Sequence, residues 1–306
     1  MTLTELRYVV AVAQERNFRR AAESCFVTQP ALSLAIQKLE EELGVAIFAR
    51  SKTDVTPTPL GQRLIAQAQR VLDEAARLKV LASEGADPLI GSIRLGMIYT
   101  IAPYLLPELV PALHRLAPLM PLEVEENLTA NLELELKNGR LDAAILALPF
   151  DVPGVLSRPL YREPFMVVVP RGHEWANRAS LHAEELSSQK VLLLASGHCF
   201  SNQVVEACPD LQRKGGEVLQ GTSLETIRNM VASGLGVTVL PCSAIGERYR
   251  SPLLVAIPFA APVPTRQVVL VWRKRFVREK AIDALVQAVR NLAIPCLQSS
   301  GVATDS

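Results

Sequence analysis

Ser196, Gly197, His198, Cys199 and Phe200 open a short stretch that ends at Cys208 and Pro209. Two cysteines nine positions apart, the first preceded by a histidine, are residues suited to redox chemistry. If a helix opens near Gly197, about 1.5 Å of rise and 100° per residue put the cysteines roughly 13 Å apart on opposite faces. A disulfide needs Cα atoms within about 7 Å, so these thiols join only if the segment unwinds and refolds. A helix N-terminus and a neighbouring imidazolium both favour the thiolate at Cys199. A low-pKa thiol with a second cysteine in reach is the pattern of a thiol sensor, which passes through a sulfenic acid to a disulfide. The competing reading is that both are small buried hydrophobes, as most free cysteines are.

Composition narrows the classes. The chain has 306 residues, 49% hydrophobic and 21% charged, with a formal net charge of +1. That is an ordinary globular composition with room for two or three domains. Cys25, Cys199, Cys208, Cys242 and Cys296 are an odd, scattered set. They argue for a reducing compartment and against a secreted disulfide framework. Residues 1–7 have no apolar core for a signal peptide, and no apolar run approaches the ~18 residues of a membrane span. The expectation is a cytoplasmic protein with no membrane contact. His114, His173, His182 and His198 show no metal-ligand spacing with the cysteines. No phosphate loop, Ser-His-Asp order or carboxylate pair stands out. No metal, cofactor or enzymatic turnover is expected; the one enzyme reading left is a thiol peroxidase.

The elements that must carry this chemistry begin with three short helices. Leu3, Leu6, Val9, Val10 and Ala13 recur at helical spacing, Asn17 is a cap, and Phe18–Cys25 make a second helix. Thr28 caps a third helix running from Gln29 to about Leu43, with Pro30 in its first turn. It turns Leu32, Ile36 and Leu39 inward and Gln29, Ser33, Gln37 and Lys38 outward. Short strands at 45–48 and 55–58 read as a wing with Arg50, Ser51 and Lys52 at its tip. This is a helix-turn-helix pattern. Gln and Ser suit base edges, while Arg19, Arg20, Lys38, Arg50 and Lys52 suit phosphates. Against it, residues 1–58 hold seven basic and seven acidic side chains, a neutral balance rather than a basic one.

Thr58 and Pro59 start a longer helix in which Leu64, Ala68, Val71, Ala75, Leu78 and Ala82 alternate steps of four and three. That is a coiled-coil seam, read as a dimer contact, with packing on its own domain as the alternative. From Ser92 onward short apolar strands alternate with helices, which predicts mainly parallel sheets with helices on both faces. Thr100, Thr129 and the pair His198–Cys199 each follow a predicted strand, so they could meet in the crevice where such sheets bind ligands. Taken singly, each threonine also suits a helix cap.

The chain resembles a LysR-type transcriptional regulator over essentially its whole length. Phe18-Arg19-Arg20-Ala21-Ala22, Thr28-Gln29-Pro30-Ala31-Leu32-Ser33 and Thr58-Pro59-Leu60-Gly61 carry the general resemblance. Gly197-His198-Cys199 with Cys208, Thr222-Ser223-Leu224-Glu225-Thr226 and Pro103-Tyr104-Leu105-Leu106-Pro107 resemble its OxyR class of peroxide sensors. The resemblance implies an α/β chain with a winged helix-turn-helix at 1–58, a linker and dimerisation helix at 59–88 and a two-lobed, periplasmic-binding-protein-like effector domain at 89–306. It implies Cys199 as the peroxidatic thiol, Cys208 as the resolving thiol, and Thr100, Thr129 and His198 as the peroxide pocket. The implied partners are double-stranded promoter DNA, RNA polymerase, hydrogen peroxide as effector and further copies in a homotetramer. One departure stands out: the class often has Arg-Asp two positions after the cysteine, where this chain has Ser201 and Asn202. The runner-up is a LysR-type regulator answering a small metabolite between the lobes.

Overall fold

The computed structural model describes residues 1–50, 55–82, 88–213, 218–292, 294 and 298–299. The chain divides into two compact units, Met1–Ala86 and Asp87–Ser306.

In the first unit, α1 (Leu3–Glu15) is opened by a capping box between Thr2 and Glu5. The Asn17 side chain accepts from the Arg19 and Arg20 amides and so starts α2 (Phe18–Ser24). The turn that follows holds Phe26 at φ 57° with its side chain 96% exposed. Pro30 lies in the first turn of α3 (Gln29–Leu43), and Gly44, at φ 68°, ends it. The wing strands β1 (Phe48–Arg50) and β2 (Val55–Pro57) pair antiparallel. Glu40 secures the approach to the wing, its Oε1 accepting from the Ile47 and Phe48 amides. Then α4 (Pro59–Ala82) packs along α1. The core is apolar throughout, with Val9, Val12, Leu32, Ile36, Leu39 and Ile47 all buried.

In the second unit the strands are β3 (Ile93–Ile98), β4 (Leu122–Asn127), β5 (Ala143–Ala147), β6 (Val155–Pro170), β7 (Val191–Leu194), β8 (Val218–Gly221), β9 (Val237–Pro241), β10 (Leu254–Pro258), β11 (Thr265–Arg273) and β12 (Gln298–Ser299). The helices are α5 (Ala102–Leu116), α6 (Thr129–Lys137), α7 (Cys199–Ala207), α8 (Asp210–Arg213), α9 (Leu224–Ala232) and α10 (Glu279–Arg290). All ten strands form one sheet, in the order β4-β3-β5-β11-β6-β9-β7-β8, with β10 and β12 also on β6. Mainly parallel sheets are therefore not what forms. Each end is a parallel triplet, β4-β3-β5 and β9-β7-β8, and the antiparallel strands β11 and β6 join them. The reason lies in β6. Its first half pairs with β11 and its second half with β9 and β10, so one 16-residue strand passes through both lobes. Each lobe keeps its own core, one around Leu95, Ile145 and Leu285 and one around Phe165, Leu192 and Leu240.

Candidate functional site

The site is built from three strand ends. The chain leaves β3 through Tyr99 and Thr100, leaves β4 through Leu128 and Thr129, and leaves β7 through Gly197 and His198 into Cys199. Thr100, Thr129, Gly197, His198 and Cys199 line one cavity of about 10 Å³ together with Ile98, Tyr99, Asn127 and Leu128. That is room for one water-sized molecule. Gly197 permits the approach: it sits at φ 100°, and a Cβ there would press to 3.2 Å from the Leu128 side chain. Strand ends facing a crevice are where a doubly wound sheet offers its binding groups.

Cys199 is the first residue of α7, half-buried and packed against the core of the first lobe. The N-terminal position puts the amide end of the helix dipole beside its sulfur. The expected imidazolium is not there. Burial holds the His198 imidazole below its ordinary pKa of 6.5, so at neutral pH the ring is uncharged. It tilts against Tyr99, ring centres 5.9 Å apart, instead of capping α7.

Neither threonine hydroxyl caps a helix. Thr129 is the first residue of α6, and its hydroxyl oxygen is buried without a hydrogen-bond partner. Thr100 is buried and its Oγ1 accepts from Arg266 Nη1 at 2.8 Å, so its own proton remains free to donate. Arg266 Nη2 also donates to the Thr100 carbonyl at 2.9 Å, and Nε donates to Glu163 Oε2 at 2.7 Å. Both side chains of this ion pair are fully buried, and the Ser243 amide donates to the other Glu163 oxygen. The guanidinium also lies 5.2 Å from the ring centre of Phe200, which stacks edge-on against Phe165. Sequence reading missed Arg266 and Glu163. Little signal was available, because Glu163 shares its strand with Arg158 and Arg162, and Arg266 shares its strand with Gln267 and Arg273. Neither Ser201 nor Asn202 supplies charge here; the nearest charge under Phe200 comes from β11.

Cys208 closes α7 at its other end. It lies nine positions after Cys199, about 13 Å along the helix axis at 1.5 Å per residue. It is 1% exposed in the core of the second lobe beside Phe200, Val204 and Leu211. Burial pushes its thiol up to about 11, so it remains protonated there. Gln203, midway along the helix, donates to the Leu148 carbonyl at 2.7 Å and ties α7 to the first lobe. Both thiols are free, so the structure is the reduced arrangement. Cys25 is free and half-buried, while Cys242 is disulfide-bonded. Cys296 lies outside the described residues. Among the described residues no group of three or more His, Cys, Asp or Glu could hold a metal.

In the first unit α3 exposes Gln29, Gln37 and Lys38 and half-exposes Ser33. Thr28 has the cap backbone but makes no side-chain cap bond. Arg19 pairs with Glu23 and Arg20 with Glu15, each at 3.1 Å, which accounts for part of the neutral balance. Arg50 ends β1, and Ser51 and Lys52 lie outside the described residues. Of the seam on α4, Ala68 is buried and Leu64 and Val71 pack on the unit's own core; Ala75 is half-buried and Leu78 is 67% exposed. No described helix is long and apolar enough to cross a membrane.

Two family models match the chain. Residues 3–62 match the bacterial regulatory helix-turn-helix protein, lysR family, and residues 86–293 match the LysR substrate binding domain. The chain is 38% identical over 290 residues to the DNA-binding transcriptional dual regulator OxyR of Escherichia coli, covering 95% of each. Among solved structures it is similar to an aspartate variant of full-length OxyR from Pseudomonas aeruginosa, with 49% identity, a TM-score of 0.85 and 98% of each chain covered. It is also similar to a cysteine-to-serine variant of Corynebacterium glutamicum OxyR with hydrogen peroxide bound. That match has 32% identity and a TM-score of 0.64, covering 94% of this chain and 91% of that one.

Proposed function

The chain belongs to the LysR family of transcriptional regulators, and on that premise we propose that hydrogen peroxide switches it through a Cys199–Cys208 disulfide. It is a peroxide-sensing regulator of the OxyR type with a DNA-binding helix-turn-helix. What supports the cysteine assignment is the shared cavity. Cys199 faces a water-sized space with two threonine hydroxyls and a neutral imidazole, and Cys208 waits buried at the far end of the same helix.

The chemistry follows in two balanced steps. Peroxide enters the cavity, where the Thr129 oxygen and the Thr100 hydroxyl hold it against the sulfur. The Cys199 thiolate attacks the nearer oxygen and the O–O bond breaks, leaving a sulfenic acid and hydroxide, which takes a proton to become water. The sulfur loses two electrons and the peroxide gains them. The Cys208 thiol then attacks the Cys199 sulfur, the S–O bond breaks, and the sulfenic oxygen leaves as a second water. This step requires α7 to unwind, because the sulfurs start about 13 Å apart at helical rise. The site is used once per oxidation and needs an external reductant to reset, so it signals rather than turns over. A metabolite-sized effector does not fit the space at these strand ends.

Refolding of α7 then changes the packing between copies, a population shift between two packed states. The assembly is a homotetramer, a dimer of dimers, with Ala75 and Leu78 as the part of the α4 seam left for a partner helix. Gln29, Ser33 and Gln37 face base edges, with Thr28, Lys38, Arg19, Arg20, Arg50 and Lys52 on phosphates. It works in the cytoplasm, alongside RNA polymerase. The test is disulfide mapping of the reduced protein after about one equivalent of peroxide. A Cys199–Cys208 link within seconds is the expected result; a free Cys199 thiol after that exposure overturns the assignment.

A further inference from the structure

The cavity beside Cys199 has a side open to solvent. Among the described residues that line it, Tyr99 and Gly197 are exposed and the rest are buried or half-buried. Gly197 has no side chain. Tyr99, 41% exposed, is therefore the side chain that belongs both to the cavity wall and to the protein surface.

The backbone on either side of Tyr99 is fixed. Ile98 is buried in the first-lobe core, and the Thr100 carbonyl accepts from Arg266 Nη2 at 2.9 Å. The Tyr99 ring leans on His198, with centres 5.9 Å apart and planes at 60°. Movement at this wall is therefore rotation of one exposed side chain, which takes on the order of picoseconds to nanoseconds.

Size then sorts the oxidants. A space of about 10 Å³ admits a water-sized group and little more. Hydrogen peroxide carries only a proton on its second oxygen and needs no room beyond the ring. An alkyl hydroperoxide carries a carbon group there. With its terminal oxygen at the sulfur, that group has to pass out of the cavity where Tyr99 stands.

We propose that the Tyr99 ring gates this cavity and selects hydrogen peroxide over alkyl hydroperoxides. The proposal rests on Cys199 as the reacting thiol. The chemistry is the same for both oxidants. The thiolate attacks the terminal oxygen, the O–O bond breaks, and the sulfur gives two electrons to the hydroperoxide. The products are a sulfenic acid and an alkoxide, which takes a proton and leaves as the alcohol. Selection therefore lies in access.

The experiment follows oxidation of Cys199 in the reduced full-length protein by acid quench, thiol trapping and mass spectrometry. Hydrogen peroxide, tert-butyl hydroperoxide and cumene hydroperoxide are compared at equal concentration, and the readout is the ratio of their rates. Wild type should react at least about a hundred-fold faster with hydrogen peroxide than with either alkyl hydroperoxide. Tyr99→Ala should lower that ratio at least about ten-fold. Tyr99→Leu should lower it less, which keeps the test standing if the alanine variant fails to fold. Tyr99→Phe retains the ring and should retain the ratio. A wild-type ratio near one, or an unchanged ratio in both the alanine and leucine variants, overturns the gate and leaves Cys199 in its role. If hydrogen peroxide leaves Cys199 unoxidised, the thiol assignment falls and the gate with it.

Discussion

Val204→Ala tests the idea that the reduced helix is held by its core packing and released on oxidation. Val204 is 1% exposed in the second-lobe core, one turn from both Phe200 and Cys208. Truncation removes two buried methyl groups, at about 0.8 kcal/mol each, so the reduced state loses about 1.6 kcal/mol. If α7 unwinds in the disulfide form, that packing is already gone and the oxidised state loses nothing. The reduced state alone is weakened, the disulfide becomes harder to reduce, and the midpoint potential falls. For a two-electron couple about 1.4 kcal/mol corresponds to about 30 mV, which gives a shift of about 35 mV to more negative potential. The assay equilibrates wild-type and variant protein in graded dithiol buffers and counts the Cys199–Cys208 link by mass spectrometry. Urea unfolding of the reduced forms checks that the loss of about 1.6 kcal/mol did occur. A potential within about 10 mV of wild type, with that loss confirmed, would show that the α7 core persists after oxidation and would refute the unwinding argument.

Thr129→Val replaces an unpartnered buried hydroxyl by an isosteric methyl. Stopped-flow peroxide consumption should slow at least about ten-fold while urea stability rises by about 1 kcal/mol; an unchanged rate removes Thr129 from the pocket. The neutral His198 binds fewer protons when folded than unfolded, so reduced-state stability should climb as pH rises to its ordinary value of 6.5. His198→Asn should flatten that part of the curve, and an identical slope in the variant would assign it to other groups. Phe26 at φ 57° carries a left-handed strain of about 1 kcal/mol with a ring that packs on nothing. Phe26→Asn should therefore raise the unfolding midpoint, and a lower midpoint would mean that the ring does contribute to the fold.

The sequence makes some of this legible and hides the rest for identifiable reasons. Asn17, Pro30 and Gly44 act through neighbouring backbone, so the helices they bound can be read locally. The cysteine spacing is local too, and α7 opens at Cys199, two residues after the Gly197 near which a helix was expected. Thr100 and Thr129 could be placed at strand ends but not told apart from caps, because a hydroxyl after a strand serves either purpose. The Arg266–Glu163 pair is different. It joins residues 103 positions apart on β11 and β6, and their meeting depends on a register shifted by the irregularity at Val268 and Val269. No pattern along one strand encodes that. The same strand defeats the parallel-sheet expectation, since apolar runs look alike in either direction. On α4, a heptad seam reads identically whether it meets a partner or its own core, and Leu64, Ala68 and Val71 meet their own core.

Phe200 explains why chemistry at the half-buried Cys199 thiol should reach the packing of a whole lobe. It is adjacent to Cys199 in sequence and buried in the second-lobe core against Phe165, while its ring also covers the Arg266 guanidinium that orients Thr100. Cys199 itself packs on the first-lobe core and Cys208 on the second. A bond between the two sulfurs cannot keep both attachments, because α7 holds them about 13 Å apart. The proposed Cys199–Cys208 bond would therefore exchange helix packing for a covalent link, with the loss falling on Phe200, Val204 and the Gln203 bond to Leu148 together. Because one helix carries all three attachments, they would break together, which makes a two-state response the expected one. A smaller loop joining the cysteines would oxidise without disturbing either core, and the protein would register peroxide without changing shape.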